Sequence, residues 1–309
     1  MANSQSARSV EIVEVGARDG LQNQKEMLST DQKVQFIEKM VDAGVRRMEA
    51  TSFVNPRRVP QMADADDVMA RVPRGRGVKY IGLALNNRGA QRAIDAGCDE
   101  VGVAIVASNT FGIKNQGQNI DEMLASWAEI AATCRKAGVP ASIMVSAAYG
   151  CPFEGEVPLQ TVFDMAERAV QEQPIELAYA DTIGVGDPAR TIEITERFRD
   201  IAPGLPIRAH FHNTRNTGLA NAFAAVQAGV SVLDASLGGI GGCPFAPAAT
   251  GNIPTEDLIY MLERMGVETG IDSDKAAAIG LWVGEQLGIA IPAYLGRAGG
   301  FPQPQEAAA

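Results

Sequence analysis

Short runs of apolar and β-branched residues recur along the chain, separated by stretches whose apolar positions have helical spacing. The clearest amphipathic helices are predicted at residues 30–43, 121–136, 159–171 and 189–201. Strands that alternate with helices predict a parallel sheet, and eight such units are the number that closes a TIM (β/α)8 barrel. The eight predicted strands are residues 10–15, 47–53, 79–85, 100–107, 142–147, 176–180, 207–211 and 230–236.

Glycines mark the ends of several predicted helices, just before the next strand begins. Gly44, Gly97, Gly138 and Gly229 each follow an alanine there, and glycine closes a helix because it adopts positive φ angles without steric cost. The alternative fold, an open doubly wound sheet, predicts a glycine-rich phosphate-binding motif after the first strand. The sequence at that point is GARDGLQNQ, which favours the barrel.

Two further helical stretches follow the eighth predicted strand, at residues 255–265 and 274–287, and the tail at 293–309 is rich in glycine and proline. Barrels of about 250 residues routinely fold as one domain. We therefore expect a single catalytic domain over residues 1–309. The barrel would occupy about 10–250 and a C-terminal helical extension about 255–309.

The composition excludes several classes of protein. The formal net charge is -10 and the isoelectric point is about 4.8, so the chain lacks the basic surface that nucleic-acid binding requires. No run approaches the ~18 apolar residues of a membrane span, and the N-terminal residues contain no apolar core typical of a signal peptide. The four cysteines have neither zinc-site nor disulfide-scaffold spacing. We expect a cytoplasmic protein with free thiols that binds neither nucleic acid nor membranes.

Polar and charged residues gather where the predicted strands end. The active sites of TIM barrels lie at this edge of the sheet, so these residues are the first candidates for function. They are Arg18 and Asp19 after the first strand, Glu49 in the second, Asp181 after the sixth, His210 and His212 at the end of the seventh, and the loop at 238–252 after the eighth.

His210 and His212 are the only two histidines of the chain, and their spacing on a strand turns both side chains to the same side. Such a pair at the mouth of a barrel is more typical of metal ligands than of two buried core residues. Asp19 offers a carboxylate and Asn252 an amide oxygen, although both residue types are also common in turns. Nitrogen and oxygen ligands without thiolates favour Mg²⁺ or Mn²⁺ over structural Zn²⁺.

Cys243 and Arg18 are two further residues to which we assign chemistry. Cys243 lies in GGIGGCPF, where glycines permit loop motion over the mouth. A thiol there can donate or accept a proton, and the alternative is a small buried side chain. Arg18 faces an anionic group of a substrate, a developing oxyanion, or Glu49 as an ion-pair partner. Glu49 and Asp181 either orient Arg18, a metal-bound water or the substrate, or act only as supporting residues.

Five segments of the sequence resemble the hydroxymethylglutaryl-CoA lyases, and they occur in the order found in that family. The resemblance runs from about residue 11 to residue 272, nearly the whole chain. It implies a TIM-barrel metalloenzyme that uses Mg²⁺ or Mn²⁺ to cleave 3-hydroxy-3-methylglutaryl-CoA into acetyl-CoA and acetoacetate, and it implies a homodimer. The segments are VGARDGLQNQ, MEATSFVNPRRVPQMAD, ADTIGVGDP, HFHNT and GGIGGCPFAPAATGNIPTEDLIYML.

The resemblance also implies roles for single residues. His210 is one candidate, with a metal-bound water as the other, for taking the proton of the substrate hydroxyl. The implied metal ligands are Asp19, His210, His212 and Asn252. The implied catalytic residues are Arg18 and Cys243, with Glu49 and Asp181 as supporting acids. The residues implied beside the metal or the CoA moiety are Gln22, Lys114 and Asn115.

Two departures from the family pattern fall close to the implied substrate. Asn213 stands where the family has aspartate, and Ala180 stands where it has glycine. Neither removes a metal ligand, so both bear on the identity of the acyl group rather than on the chemistry. The alternative substrates are citramalyl-CoA and a longer 3-hydroxy-3-alkylglutaryl-CoA.

Other activities are less consistent with the sequence. A condensing acyltransferase of the isopropylmalate or homocitrate synthase type would carry glutamate where this chain has Leu21, and it would lack the cysteine of the GGCP loop. A metal hydrolase of the His-x-His barrel type would need further histidines. A non-catalytic ligand-binding barrel gives no reason for metal ligands, an arginine and a thiol in one mouth.

Overall fold

Eight parallel strands close into a barrel in the computed structural model, which describes residues 9–242 and 251–302. The barrel order is β1-β2-β3-β4-β5-β8-β9-β10, and β10 pairs with β1 to close it. A separate antiparallel hairpin is formed by β6 and β7. In chain order the strands are β1 (Glu11–Glu14), β2 (Arg47–Ser52), β3 (Lys79–Leu83), β4 (Glu100–Val106), β5 (Ala141–Ser146), β6 (Gly150–Cys151), β7 (Gly155–Glu156), β8 (Leu177–Asp181), β9 (Ile207–Phe211) and β10 (Val232–Ala235).

Helices surround the barrel and continue beyond its last strand. Their ends follow local sequence signals: α5 begins with a capping box of Asn119 and Glu122 and ends at Gly138, whose φ is +70°. The helices are α1 (Thr30–Asp42), α2 (Ala65–Arg71), α3 (Asn87–Asp95), α4 (Asn109–Gln116), α5 (Ile120–Ala137), α6 (Leu159–Ala169), α7 (Pro188–Ile201), α8 (Gly218–Gln227), α9 (Thr255–Arg264), α10 (Ser273–Leu287) and α11 (Leu295–Ala298).

The predicted TIM barrel is confirmed, with small shifts at the ends of its strands. The helices predicted from apolar periodicity correspond to α1, α5, α6 and α7, and the predicted C-terminal pair corresponds to α9 and α10. The β6–β7 hairpin was not predicted, because strands of two residues carry no detectable alternation. None of the described helices is both long and apolar enough to cross a membrane.

The main hydrophobic core lies between the barrel wall and the helices around it. Phe36, Ile37 and Met40 of α1 are fully buried there, and Trp127 of α5 is buried with its indole N–H donating to the Ala169 carbonyl at 2.8 Å. Burial of this kind contributes about 1.5–3 kcal/mol for each large apolar side chain. The core therefore holds the barrel wall rigid and fixes where each strand ends.

The inside of the barrel is different, because it combines a small apolar cluster with buried ion pairs. Arg47 lies between Glu100 and Glu176, at 2.8 Å and 2.7 Å, and Arg208 lies between Glu49 and Asp234, at 2.8 Å and 2.6 Å. Buried charges persist only when they are paired. The apolar cluster consists of Val13, Val15, Ile81 and Val232.

Candidate active site

Arg18 and Asp19 reach the mouth of the barrel on a single tight turn, Gly16–Gly20, directly after β1. The Gly16 N–H donates to a Glu14 carboxylate oxygen at 2.7 Å, and a Cβ at Gly16 would lie 2.6 Å from the same oxygen. A side chain at this position would have to displace the Glu14 carboxylate from this hydrogen bond. The turn places the arginine and the aspartate side by side over the open end of the barrel.

His210 and His212 project from the end of β9 to the same side, as their spacing predicted. Their ring centroids are 5.0 Å apart, and both residues are buried. Asn252 returns to this edge of the sheet by forming an isolated antiparallel bridge with His212. Its amide nitrogen donates to Asp19 at 2.9 Å and to the Ile240 carbonyl at 3.1 Å. The four predicted metal ligands therefore meet in one place.

The donor atoms of this cluster fit a divalent metal ion. One ligand atom from each of Asp19, His210 and His212 lies within 4.8 Å of the other two, little more than the about 4.2 Å between opposite ligands of an octahedral ion. The Asn252 side-chain oxygen and His212 Nδ1 are buried without a hydrogen-bond partner among the described residues. An unpaired buried oxygen is costly unless it has a ligand. The cluster is a possible metal site with two nitrogen and two oxygen donors.

Charges around the cluster set the protonation of its members. Burial opposes ionisation of Asp19, but the charge of Arg18 and the hydrogen bond and charges of the histidines outweigh it, so the pKa of Asp19 lies well below its usual value. Burial lowers the pKa of His210. The bond to Asp234 at 2.9 Å and the charge of that carboxylate outweigh this effect, so the pKa of His210 lies above its usual value. Asp19 is thus anionic, and protons would compete with a metal ion for His210.

Arg18 is held by two carboxylates. Its Nε donates to Glu49 Oε2 at 2.6 Å, Nη2 donates to the same oxygen, and Nη1 donates to Asp19 at 2.6 Å. A guanidinium has five N–H donors, so one on each terminal nitrogen remains for another acceptor. Arg18 also lines the large cavity at the mouth. The pairing with Glu49, one of the predicted alternatives, therefore orients Arg18 without using all of its donors.

A cavity of about 970 Å³ opens above the cluster. This is the size expected for a site that takes a large organic ligand. Gln22 also lines this cavity, and its side-chain oxygen accepts from the Ser52 hydroxyl at 3.1 Å. Lys114 and Asn115 lie on α4 at the cavity wall. The cavity is lined at its base by Arg18, Asp19, Ala180, His210 and His212, and along its sides by residues that include Arg58, Gln61, Phe111 and Gln118.

Asp181 and Asn213 lie near the cluster but turn away from the cavity. The Asp181 carboxylate is buried and accepts the N–H groups of Val185 and Gly186 at 2.9 Å and 2.8 Å. Asn213 accepts the N–H of Gly218 at 3.0 Å. The two side chains shape loops, whereas Ala180 and Thr182, the neighbours of Asp181, line the cavity. Of the two departures from the family pattern, only Ala180 faces the space where a substrate would lie.

Two buried carboxyl groups hold the start of the loop after β10. Glu14 accepts from the Leu237 N–H at 3.1 Å and from the Thr255 hydroxyl at 2.6 Å, and Glu256 accepts from the Gly238 N–H at 3.0 Å. Burial is the main reason that the pKa of Glu14 rises to about 7 and that of Glu256 to about 8. They fix the glycine-rich segment that leads towards Cys243, a predicted catalytic residue that lies outside the described residues.

Sequence reasoning missed Asp234 and Arg208, which are buried directly beneath the Asp19, His210 and His212 side chains. Asp234 bonds to His210, and Arg208 bonds to both Asp234 and Glu49. A signal for Arg208 was present, because it precedes His210 by two positions on β9 and so faces the same side. Asp234 in β10 carried no such signal, because an acidic residue within a short strand is equally consistent with an exposed edge.

The closed parallel barrel, with an Asp-His-His cluster at the carboxyl ends of its strands, defines a (β/α)8-barrel protein with a candidate metal site. The family model described as HMGL-like matches residues 9–283. The chain belongs to this HMGL-like family, as the sequence motifs predicted.

Individual relatives agree with this assignment. The chain is 40% identical over 306 residues to an (R)-citramalyl-CoA lyase of Chloroflexus aurantiacus, covering 96% of each chain. It is 37% identical to a hydroxymethylglutaryl-CoA lyase of Bacillus subtilis, over 92% of this chain and 95% of the relative. An HMG-CoA lyase of Acinetobacter baumannii, solved in complex with coenzyme A and 3-methylmalate, superposes with a TM-score of 0.91 at 34% identity, over 98% of this chain and 100% of the other. The predicted enzyme class, a carbon–carbon lyase, is thereby confirmed.

Proposed function

We propose that this enzyme is a divalent-metal-dependent lyase that cleaves 3-hydroxy-3-methylglutaryl-CoA into acetyl-CoA and acetoacetate. The observation that carries the proposal is the convergence of Asp19, His210 and His212 within 4.8 Å, beside Arg18 and beneath a cavity of about 970 Å³. Asp19, His210, His212 and Asn252 would hold Mg²⁺ or Mn²⁺, which supplies Lewis-acid stabilisation of negative charge on oxygen. The relatives named above as lyases support the same reaction class.

The side chains around the cluster have different roles in this cleavage. The substrate hydroxyl loses its proton to water, a carbonyl forms, and the electrons of the broken carbon–carbon bond pass to the thioester as an enolate. Arg18 directs its remaining N–H donors at the oxygen where charge develops, and Glu49 keeps the guanidinium in place. Cys243, which follows the glycine-rich segment, donates a proton to the enolate carbon to complete acetyl-CoA.

His210 serves this site as a ligand rather than as the base. Its Nδ1 is bonded to Asp234 at 2.9 Å, so only Nε2 is available at the mouth. One nitrogen lone pair cannot bind a metal and accept a proton at the same time. A carboxylate partner on the far nitrogen is typical of a metal-binding histidine, because it fixes the ring and its tautomer.

The CoA part of the substrate fits the wall of the cavity formed by α4. Lys114 supplies a cation there for a phosphate of CoA, Asn115 supplies an amide, and Gln22 lies near the thioester end. The overall charge of -10 repels a polyanion, so a local cation is needed at this place. The related structure solved with coenzyme A supports an acyl-CoA ligand. The cytoplasmic location and the homodimer stay predictions from the sequence.

Ala180 favours a second candidate substrate, citramalyl-CoA. Its methyl group lines the cavity on β8 beside His210, where glycine was expected. Citramalyl-CoA carries its free carboxylate directly on the carbinol carbon and is one methylene shorter than the methylglutaryl thioester. The extra methyl group leaves less space in the cavity and therefore favours the smaller acyl group. The Chloroflexus relative is named for this substrate. Cleavage would then give pyruvate and acetyl-CoA.

Release of acetyl-CoA from a panel of thioesters tests the proposal. The panel contains 3-hydroxy-3-methylglutaryl-CoA, both enantiomers of citramalyl-CoA and a longer 3-hydroxy-3-alkylglutaryl-CoA, each with Mg²⁺. One methylene in a fitted pocket changes kcat/KM by about 10- to 200-fold, so the kcat/KM of the preferred substrate should exceed that of the others by a factor in this range. Ala180→Gly should shift the preference towards the longer acyl groups. Condensation of acetyl-CoA with a 2-oxo acid, without cleavage of any thioester, would instead identify a synthase.

Replacement of Cys243 tests the proton donor. Cys243→Ala should lower kcat by about 10²- to 10⁴-fold, because general acid catalysis contributes that much. The metal content should stay at the wild-type value, since the thiol is not a proposed ligand. Cys151→Ala is the matched control: Cys151 is also followed by Pro and Phe, but it is buried against the Ser108 hydroxyl at 3.0 Å. Equal turnover in the two variants would remove Cys243 from the mechanism.

A further inference from the structure

Arg208 lies inside the barrel, directly beneath the cluster of Asp19, His210 and His212. It lies on β9 two positions before His210 and is 2% exposed. Its Nη2 donates to Glu49 Oε1 at 2.8 Å and to Asp234 Oδ2 at 3.0 Å, and its Nε lies 2.6 Å from Asp234 Oδ1. A longer contact of 3.5 Å joins its Nη1 to Glu176. The close contacts of this guanidinium are therefore with two carboxylates that belong to different strands.

Each of these carboxylates has a second partner at the mouth. Glu49 Oε2 accepts from Arg18 Nε at 2.6 Å, while Asp234 Oδ2 bonds to His210 Nδ1 at 2.9 Å. Arg208 is thus the common point of two chains of contacts, one that ends at the catalytic arginine and one that ends at a metal ligand. Without its charge, two buried carboxylates would repel each other beneath the site.

We propose that Arg208 is a positioning residue that fixes Arg18 and His210 relative to each other, by holding Glu49 and Asp234 with a single guanidinium. This inference rests on the proposed function, because it assigns His210 to the metal and Arg18 to the substrate oxygen. The planar fork of arginine suits the task, since it places several N–H donors in fixed directions. Lysine has one compact ammonium group and does not reproduce this bridge.

Arg47 provides a matched control for a purely structural role. It is also buried inside the barrel, and it also bridges two buried carboxylates, Glu100 and Glu176, with contacts of 2.7 Å to 3.1 Å. A third contact, of 3.0 Å, joins it to the exposed Glu11. Glu176 also has a contact of 3.5 Å with Arg208 Nη1, but neither of the two carboxylates bonds to Arg18, His210 or another proposed ligand in the part of the chain that the structure describes. Arg47→Lys should therefore disturb the ion pairs of the barrel interior as Arg208→Lys does, but leave the site unchanged.

The experiment compares Arg208→Lys and Arg47→Lys in the full-length enzyme, with Mn²⁺ dissociation constants from the EPR signal of free Mn²⁺. Loss of a group that orients a metal ligand typically weakens metal binding by about 10- to 100-fold, and we expect this range for Arg208→Lys. Its kcat at saturating Mn²⁺ should also fall by at least about tenfold, because a misplaced Arg18 stabilises the developing charge less well. KM should change little, because this interaction forms mainly in the transition state. Arg47→Lys should stay within about twofold of wild type in all three quantities.

The outcomes separate this inference from the proposed function. If Arg208→Lys and Arg47→Lys lose the same stability in urea and keep the same Mn²⁺ affinity and kcat, Arg208 is only structural and the inference is wrong. If Arg208→Lys does not fold, Asp234→Asn probes the His210 branch alone, and an unchanged Mn²⁺ affinity there overturns the inference. If the wild-type enzyme itself binds no Mn²⁺, the proposed metal site is wrong and the inference is wrong with it.

Discussion

Arg18→Met should lower kcat by about 10²- to 10³-fold, the loss expected when a preorganised donor to a developing oxyanion is removed. Arg18 is the cation at the base of the cavity, and Glu49 and Asp19 fix its orientation before substrate binds. Preorganisation matters because the donors then need not reorient when charge appears on the substrate oxygen. KM should change less than kcat, because the interaction is strongest in the transition state.

The matched control for this prediction is Arg46→Met. Arg46 lies at the amino end of β2, at the opposite edge of the sheet, and its guanidinium donates to the Val41 and Val45 carbonyls at 3.1 Å and 2.9 Å. It has the same side chain and also bonds to buried groups, but none of its hydrogen bonds to described residues is with the mouth of the barrel. Steady-state kinetics of both variants with saturating Mg²⁺ decide the matter. A kcat for Arg18→Met within about twofold of the control would remove Arg18 from the chemistry.

The parts of the site that the sequence predicted well are those fixed by strand geometry. His210 and His212 share a face because side chains alternate along a strand, and that rule needs no knowledge of the remaining fold. Asp19 and Arg18 were placed in the mouth because they directly follow a predicted strand. For the same reason, the barrel itself could be predicted from the succession of strands and helices alone.

Asp181 shows where this reasoning was incomplete. It was predicted as a supporting acid because it comes at the end of a strand, but alternation along β8 turns Ala180 and Thr182 to the cavity and Asp181 away from it. A position at a strand end predicts how close a residue lies to the mouth of the barrel. Whether its side chain points into the barrel or away from it depends on the alternation of side chains along the strand. Asn213 was likewise linked to the substrate by position, whereas its side chain binds the backbone at the start of α8.

The ion pairs that Arg208 forms with Glu49 and Asp234 were not predicted, because they join residues far apart in sequence. Arg208, Glu49 and Asp234 come from three strands, and their contacts depend on the stagger that barrel closure imposes. The residue types of Arg208 and Asp234 alone are consistent with exposed positions on ordinary strands. Only the packed barrel shows that these charges lie inside it, beneath the proposed metal ligands.

Removal of the metal should abolish most of the turnover. The cluster holds an anionic Asp19, two histidines and an amide oxygen that has no hydrogen-bond partner among the described residues. This donor set suits a divalent ion. Lewis-acid stabilisation supplies several kcal/mol to such a reaction, so the chelated enzyme should lose about 10³-fold or more of its turnover. His212→Ala should reproduce that loss without chelator, since it removes one nitrogen ligand and leaves Arg18 in place.

The most direct test of the account is therefore to strip the enzyme with EDTA, return Mn²⁺ in steps, and measure bound metal and acetyl-CoA release in the same samples. We expect turnover to rise in proportion to bound Mn²⁺ and to level off at one ion per chain, with neither binding nor recovery in His212→Ala. Full turnover by stripped enzyme that contains no ion, or full binding and turnover by His212→Ala, would contradict the metal site on which the proposed function depends.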